Sequence, residues 1–454
     1  MNLNVSYVPR VYLFLMLFLM PVQLLAQSTS EEDYRLTLSL QEAMEIAMEK
    51  NFSIAQAEFD VDKTRAQYRQ TNAVFLPQLS FEYNVLSTND PLNVFGFKLK
   101  QEVISQQDFN PALLNNPDTY QNYSAKFEVR QPLFNPDMIM QRGAVKSQLN
   151  SANEQLQGTK SYIKYQVRNH YYSLILHTRQ LEVIETALQT ASEHRRQAQN
   201  FFEEGLLSRE DFLATRVYEL EMESRRINTE NQLNNVQEEM ALLLGLAGSV
   251  EIIPTEQLEG IEGTFIPSDI TNIRVNNAQT RALEQRVNAA ERMSQSAKFS
   301  FLPKINLFGS YEYNDSDFAS FGANSYMIGA NLRWNIFSGY SQAGKVMEAR
   351  ADYRKAQSMQ QSHMFEVENR VREAYRSLEH AEKELELTTE SIEQSTEDVR
   401  IRTNRYREGM ERTTDLLEAE TKLAEAKLKN VMALYKYNMS IAALEMLLEH
   451  DFNN

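Results

Sequence analysis

Two stretches of this chain, 204 positions apart, carry the same Glu-Gly turn. With Gly205 laid on Gly409, Phe202 falls on Tyr406, Glu204 on Glu408, Asp211 on Asp415 and Leu213 on Leu417. The same displacement places VRNHYYSL (167–174) on VREAYRSL (371–378). A chain that repeats a turn together with its flanks is built from two copies of one unit, and each copy can be read against the other.

The flanks are helical. Val371, Leu378, Leu385, Ile392, Val399 and Tyr406 fall seven apart without a break, and Val167, Leu174, Leu181, Leu188 and Phe202 hold the matching places, with Arg195 the exception. A sustained seven-residue apolar repeat packs helices by knobs into holes. A second helical stretch follows each turn, over about 207–244 and 412–448, so each half is a helical hairpin. Gly supplies the left-handed residue on which a helix stops, and Ser208 or Thr414 can cap the next start. The outgoing arms, from about 143 and 340, span roughly 90–100 Å at ~1.5 Å per residue, the returning arms only about 55 Å. The unpaired half of each long arm calls for another helix stacked on the short one. Residues 38–74 and 275–299 have that pattern, with Thr37 or Ser39 as a cap for the first and Leu76-Pro77 and Leu302-Pro303 ending both.

At those prolines the period changes from helical to alternating. Leu79, Phe81, Tyr83 and Val85 point one way, and Gln78, Ser80, Glu82 and Asn84 the other. Tyr123, Ala125, Phe127 and Val129 alternate with Ser124, Lys126, Glu128 and Arg130; in the second copy Ile328, Ala330, Leu332 and Trp334 alternate with Gly329, Asn331, Arg333 and Asn335. Strands are therefore predicted at 78–86, 123–131, 304–313 and 326–335. Such strands suit the wall of a lipid-embedded barrel and equally a sheet covering a soluble core. Four strands cannot close a membrane barrel, so either the sheet is a small soluble one or several chains pool theirs.

The formal charge of −16 argues against nucleic acid as a partner. There is no Cys, which excludes disulfides and thiolate chemistry. Arg10, the apolar run VYLFLMLFLM and Ala26 read as an export signal over residues 1–26. No enzyme motif is present: His170 and His177 lie two helical turns apart, too far for a metal pair, and Met44, Met48, Met138 and Met140 read as packing residues. No cofactor, metal or catalytic residue is expected.

Taken in order, Leu76-Pro77, Pro132-Leu133-Phe134, Glu204-Gly205 with Asp211, Leu302-Pro303, Trp334-Asn335-Ile336-Phe337-Ser338-Gly339 and Glu408-Gly409 with Asp415 resemble the TolC family of outer-membrane efflux proteins over the whole mature chain. The resemblance implies a mainly α fold with a small β part. It has two structural repeats, whose long antiparallel hairpins form a trimeric α-barrel and whose four strands per chain complete a 12-stranded outer-membrane barrel. The first repeat would occupy 27–248, an equatorial linker 249–274 and the second repeat 275–454. The implied function is the outer-membrane channel of a tripartite efflux or type I secretion system, gated at its periplasmic tip. Its partners would be two further copies, a periplasmic adaptor, an inner-membrane pump and outer-membrane lipid. Gly205, Leu206, Leu207, Gly409 and Met410 would dock the adaptor; Asp415 and Glu418 would form the carboxylate gate, with Tyr406 bonded to Asp211.

Three departures are visible. Asn135-Pro136-Asp137 and Ser338-Gly339-Tyr340 stand where the family often has Gly-Gly, the loop 86–122 is much longer than its twin 314–325, and Glu411 occupies the place of a gate arginine, with Arg412 beside it. The alternative from another class is an exported coiled-coil scaffold or adhesin with a small sheet and no channel.

Overall fold

The computed structural model describes residues 34–247, 250–258, 260 and 276–450. The predicted export signal and most of the linker 249–274 lie outside them. The first repeat runs through β1 (Tyr34–Leu38), α1 (Leu40–Lys50), α2 (Phe52–Gln70), β2 (Gln78–Thr88), α3 (Pro91–Lys100), α4 (Pro111–Asn115), β3 (Tyr120–Phe134), α5 (Pro136–Glu203) and α6 (Arg209–Leu243). After β4 (Val250–Pro254), the second continues through α7 (Ala278–Phe299), β5 (Lys304–Asp315), β6 (Ala323–Arg333), α8 (Ser341–Arg407) and α9 (Thr413–Leu448).

Helices α5 and α8, of 68 and 67 residues, are each about 100 Å long. Far from the sheet, α5 pairs with α6, where Arg195, the exception in its apolar repeat, meets Glu219 at 2.6 Å. Nearer the sheet α5 carries α2 and α7 instead. Arg142 of α5 bonds Thr71, Asn72 and the Tyr68 hydroxyl at the end of α2, while Ser151 donates to the Ala282 carbonyl of α7.

The joints between short and stacked helices are built alike. Asn51 caps α2, its Oδ1 accepting from the Ser53 and Ile54 amides, while its Nδ2 donates at 2.8 Å to the Leu243 carbonyl at the end of α6. Asn277 caps α7 by accepting from the Thr280 amide, and donates at 3.3 Å to the Leu447 carbonyl at the end of α9. Each buried amide satisfies a free amide group of one helix and a free carbonyl of the next.

Several boundaries differ from the sequence reading. The helix expected over 38–74 is broken at Asn51, whose extended backbone is what a cap requires. Its start is preceded by a strand: β1 pairs in parallel with β4, inside the stretch read as linker. The hydroxyl of the fully buried Tyr171 holds both strand ends, donating to the Leu38 carbonyl and accepting from the Thr255 amide. Around it Val167, Leu174, Met240, Leu244 and Ile252 form the core of the waist. Helix α5 starts at Pro136 rather than near 143, because the proline ring is set for a first helical position. The two copies enter their long helices differently: Asn135 leads into Pro136, whereas Gly339 and Tyr340 are both left-handed.

The strands form one antiparallel sheet in the order β2-β3-β5-β6. Its register keeps the two faces apart. Phe81, Phe127, Tyr311 and Tyr326 form one row across the sheet, and Glu82, Lys126, Glu312 and Ser325 the next. Strand β6 stops at Arg333, short of the expected 335, because the Trp334 indole turns to donate to the Phe301 carbonyl.

Candidate functional site: the channel wall and the hairpin tips

One face of the sheet is apolar and uncovered. Leu79, Phe81, Val129, Ile328 and Leu332 are all exposed, Ile328 by 80%. A patch of that size on a water-soluble surface would be an aggregation site, whereas against lipid it is favourable. The opposite face carries Glu82, Lys126, Glu128, Arg130 and Glu312 and suits a water-filled interior. Among the described residues, strands β2 and β6 have no neighbour on their outer sides.

At the far end of the helices, both tips close by the same backbone motif. The Leu206 amide donates to the Phe201 carbonyl at 2.8 Å and the Gly205 amide to Phe202 at 3.0 Å. Met410 and Gly409 repeat this on Arg405 and Tyr406 at 2.9 and 3.0 Å. The motif requires a left-handed residue, and Gly205 and Gly409 have φ of +73° and +70°. It leaves Leu206 and Met410 pointing into solvent, with Leu207 half-buried.

The side chains differ where the backbones agree. In the first tip Ser208 accepts from the Asp211 amide and donates to the Asp211 carboxylate at 2.6 Å, and Phe202 stacks on Phe212. In the second, Thr414 lies inside α9 and the cap position belongs to Arg412, whose guanidinium grips Asp415 through two bonds of 2.8 and 3.0 Å. That contact holds the Asp415 carboxyl below its ordinary value. Asp415 raises the Arg412 guanidinium in turn, with smaller contributions from Glu411 and Asp211, so the two tips share one electrostatic neighbourhood. Glu411, in the place of the family arginine, is drawn between Arg402 and Arg405 at 3.0 and 3.4 Å, with its side chain only 9% exposed.

Of the residues singled out as a gate, Asp415 is bonded to Arg412, which also feels the field of Asp211. Glu418 lies one turn further along α9, on Lys422 at 2.7 Å. Tyr406 is half-buried on the last turn of α8. Among the described residues its hydroxyl has no hydrogen bond, and the Asp211 carboxylate is held by Ser208 rather than by Tyr406 within the chain. Below the tips, Leu417 of α9 is buried against Ala191, Tyr218 and Met222 and joins the two hairpins. The pair of Arg412 with Asp415 was missed in the sequence reading, although its three-residue spacing at a helix start could have found it; the clamp on Glu411 spans the turn and follows no period. His170 and His177 sit on the half-buried side of α5, where burial pushes both imidazoles down; among the described residues no cluster of metal-ligating side chains forms.

A sheet with one lipid-suited face, set on a long double hairpin, defines a segment of an outer-membrane channel. The outer membrane efflux protein family matches residues 43–246 and 270–449, one stretch in each repeat, and the chain belongs to that family. Comparison with curated proteins finds no match. Among solved structures, the chain is similar to the Campylobacter jejuni CmeC outer membrane channel, at 15% identity and a TM-score of 0.79 over 91% of this chain and 87% of that one. It is also similar to the outer membrane protein VceC from Vibrio cholerae (18% identity, TM-score 0.76, 91% and 96%) and to the open state of the Neisseria gonorrhoeae MtrE outer membrane channel (17%, 0.73, 92% and 93%). The fold is thus TolC-like, and the protein is an outer-membrane efflux channel with its helices in the periplasm.

Proposed function

We propose that three copies of this chain build one efflux conduit, coupled at its hairpin tips to a periplasmic adaptor and through it to an inner-membrane pump. The observation that carries this is the four-stranded sheet with an exposed apolar face and edges at β2 and β6 that no other strand among the described residues pairs with. Three such sheets joined edge to edge give 12 strands, an even number within the range of membrane barrels, and no edge remains open. A scaffold or adhesin leaves both the apolar face and the edges without a partner. At the other end Leu206 and Met410 gain nothing from exposure in one chain and supply apolar anchors for an adaptor.

The gate lies at the same end. Asp415 and Glu418, repeated by threefold symmetry around a narrow opening, form a carboxylate ring that favours cations and is blocked by multivalent ones. Within one chain Ser208 holds the Asp211 carboxylate, so Asp211 and Tyr406 act in this reading between neighbouring hairpins of the closed assembly, which they help to hold inward. Native mass spectrometry of the detergent-extracted protein tests the assembly. A trimer is expected; a monomer, or a protein recovered in the soluble fraction, refutes it.

A further inference from the structure

Resting on the channel reading above, we infer that residues 91–115 form a lid folded inward over the outer mouth, and that the lid, hooked by Gln101, sets the size limit of the channel at that end. The segment is a built unit. Asp90 caps α3 by accepting from the Asn93 amide at 2.9 Å, and Pro91 occupies the first turn. Lys98 meets Asp108 at 2.6 Å, Phe95 packs edge-on against Phe109 with centroids 5.8 Å apart, and Val94 is buried beneath them. The Lys98 ammonium, with the Ser105 amide, holds the Asp108 carboxyl down at about 2.

The direction of folding follows from what the unit touches. Gln101, itself 7% exposed, donates to the Gln121 carbonyl at 3.1 Å and to Asn122 Oδ1 at 2.8 Å, and accepts from the Tyr120 hydroxyl at 2.7 Å. Asn122 passes the network on to Asn314, and Asn314 to Glu312, which also receives Lys100 at 3.1 Å. Asn122, Asn314 and Glu312 share the sheet face of Lys126 and Glu128, the polar side. The short β5–β6 loop goes the other way: its Phe318 packs on Tyr83 and Tyr123, and its Phe321 on Tyr313, all on the apolar side. One loop faces lipid and the other hangs into the passage. Around a threefold axis, three such lids narrow the exit, and Gln101 is the bond by which each is held.

The absence of Cys in the chain allows a direct test. Ser80 lies exposed on the polar face, two rows inward from the lid contacts, so Ser80→Cys provides a single thiol in the passage. Intact cells are treated from outside with a small maleimide and with a polymer-linked maleimide. The comparison is between the lid as it stands, a variant carrying Lys100→Ala with Gln101→Ala, and one with 91–115 replaced by a short Gly-Ser link. The small reagent should label all three alike. The bulky one should react about tenfold faster or more in both lid variants, the change in open fraction that loss of the four hydrogen bonds made by Lys100 and Gln101 brings at the least. Equal bulky-reagent rates in parent and linker variant overturn the lid. Failure of even the small reagent to label the parent overturns the channel reading itself.

Discussion

The paired asparagines at the helix joints make a sharp stability test. Asn51→Ala removes the cap on the Ser53 and Ile54 amides, a loss of about 1 kcal/mol within a range of ~0.5–2. It also strips the Leu243 carbonyl of its donor in a buried joint, which costs about 1–3 kcal/mol. The sum is about 2–4 kcal/mol per chain. Asn51→Asp separates the parts: it keeps an oxygen for the two amides, with a charge that suits a helix N-terminus, but removes the donor and sets a carboxylate against a carbonyl. Stability should rank parent, then Asp, then Ala. Native-state hydrogen exchange at residues 53 and 54 reads the joint without requiring global unfolding. For Ala, protection should fall by about 30- to 1000-fold, since ~1.4 kcal/mol is a factor of ten. Protection within a few-fold of the parent, or an Asp variant no better than Ala, refutes the reasoning.

Further outcomes follow from the tips and the waist. Gly205→Ala and Gly409→Ala meet open space and should cost only about 1–2 kcal/mol each for the left-handed backbone, whereas Gly245→Ala, whose Cβ would stand 2.5 Å from the Lys50 carbonyl oxygen, should cost more; thermal unfolding in detergent ranks the three. Changing either tip glycine to Val should abolish export, measured as retention in the cell of whatever cargo the parent channel clears, while leaving the oligomer intact. In single-channel recordings, Asp415→Ala with Glu418→Ala should weaken trivalent-cation block from the periplasmic side, and Asp211→Ala with Tyr406→Phe should make the resting channel leakier; parent-like behaviour of both contradicts the gate. Because Arg412 depresses the Asp415 carboxyl, the stabilisation from that pair is fully present above the ordinary value of 3.8 and is lost as pH falls through the depressed one. Block measured against pH should therefore stay flat through mild acidity; a decline already near neutral pH contradicts the pairing.

The repeat, the hairpins and the faces of the strands were legible because each is a local period: seven for packed helices, two for a half-buried strand, and Gly where a backbone must turn left-handed. Most of what escaped has no period. Asn51 looks like one polar residue in a helical run, and only the Leu243 carbonyl, 192 positions away, makes it a joint. Strands β1 and β4 have five residues each and find one another across more than 200 positions, too short and too distant for alternation to announce them. At the second tip, the three-residue spacing of Arg412 and Asp415 was a signal that the sequence reading passed over, whereas the two arginines on Glu411 meet it only once the chain has turned. The length of the 86–122 loop stood out in the sequence, but its inward course depends on Gln101 meeting Asn122 on the polar face.

The decisive recording is of purified protein in a planar lipid bilayer. Three pooled sheets enclosing a polar lumen must carry current, so discrete conductance steps that favour cations and are blocked by trivalent ions from the tip side are expected. A purified, membrane-inserted protein that gives no conductance steps contradicts the pooled barrel, whatever the length of its helices.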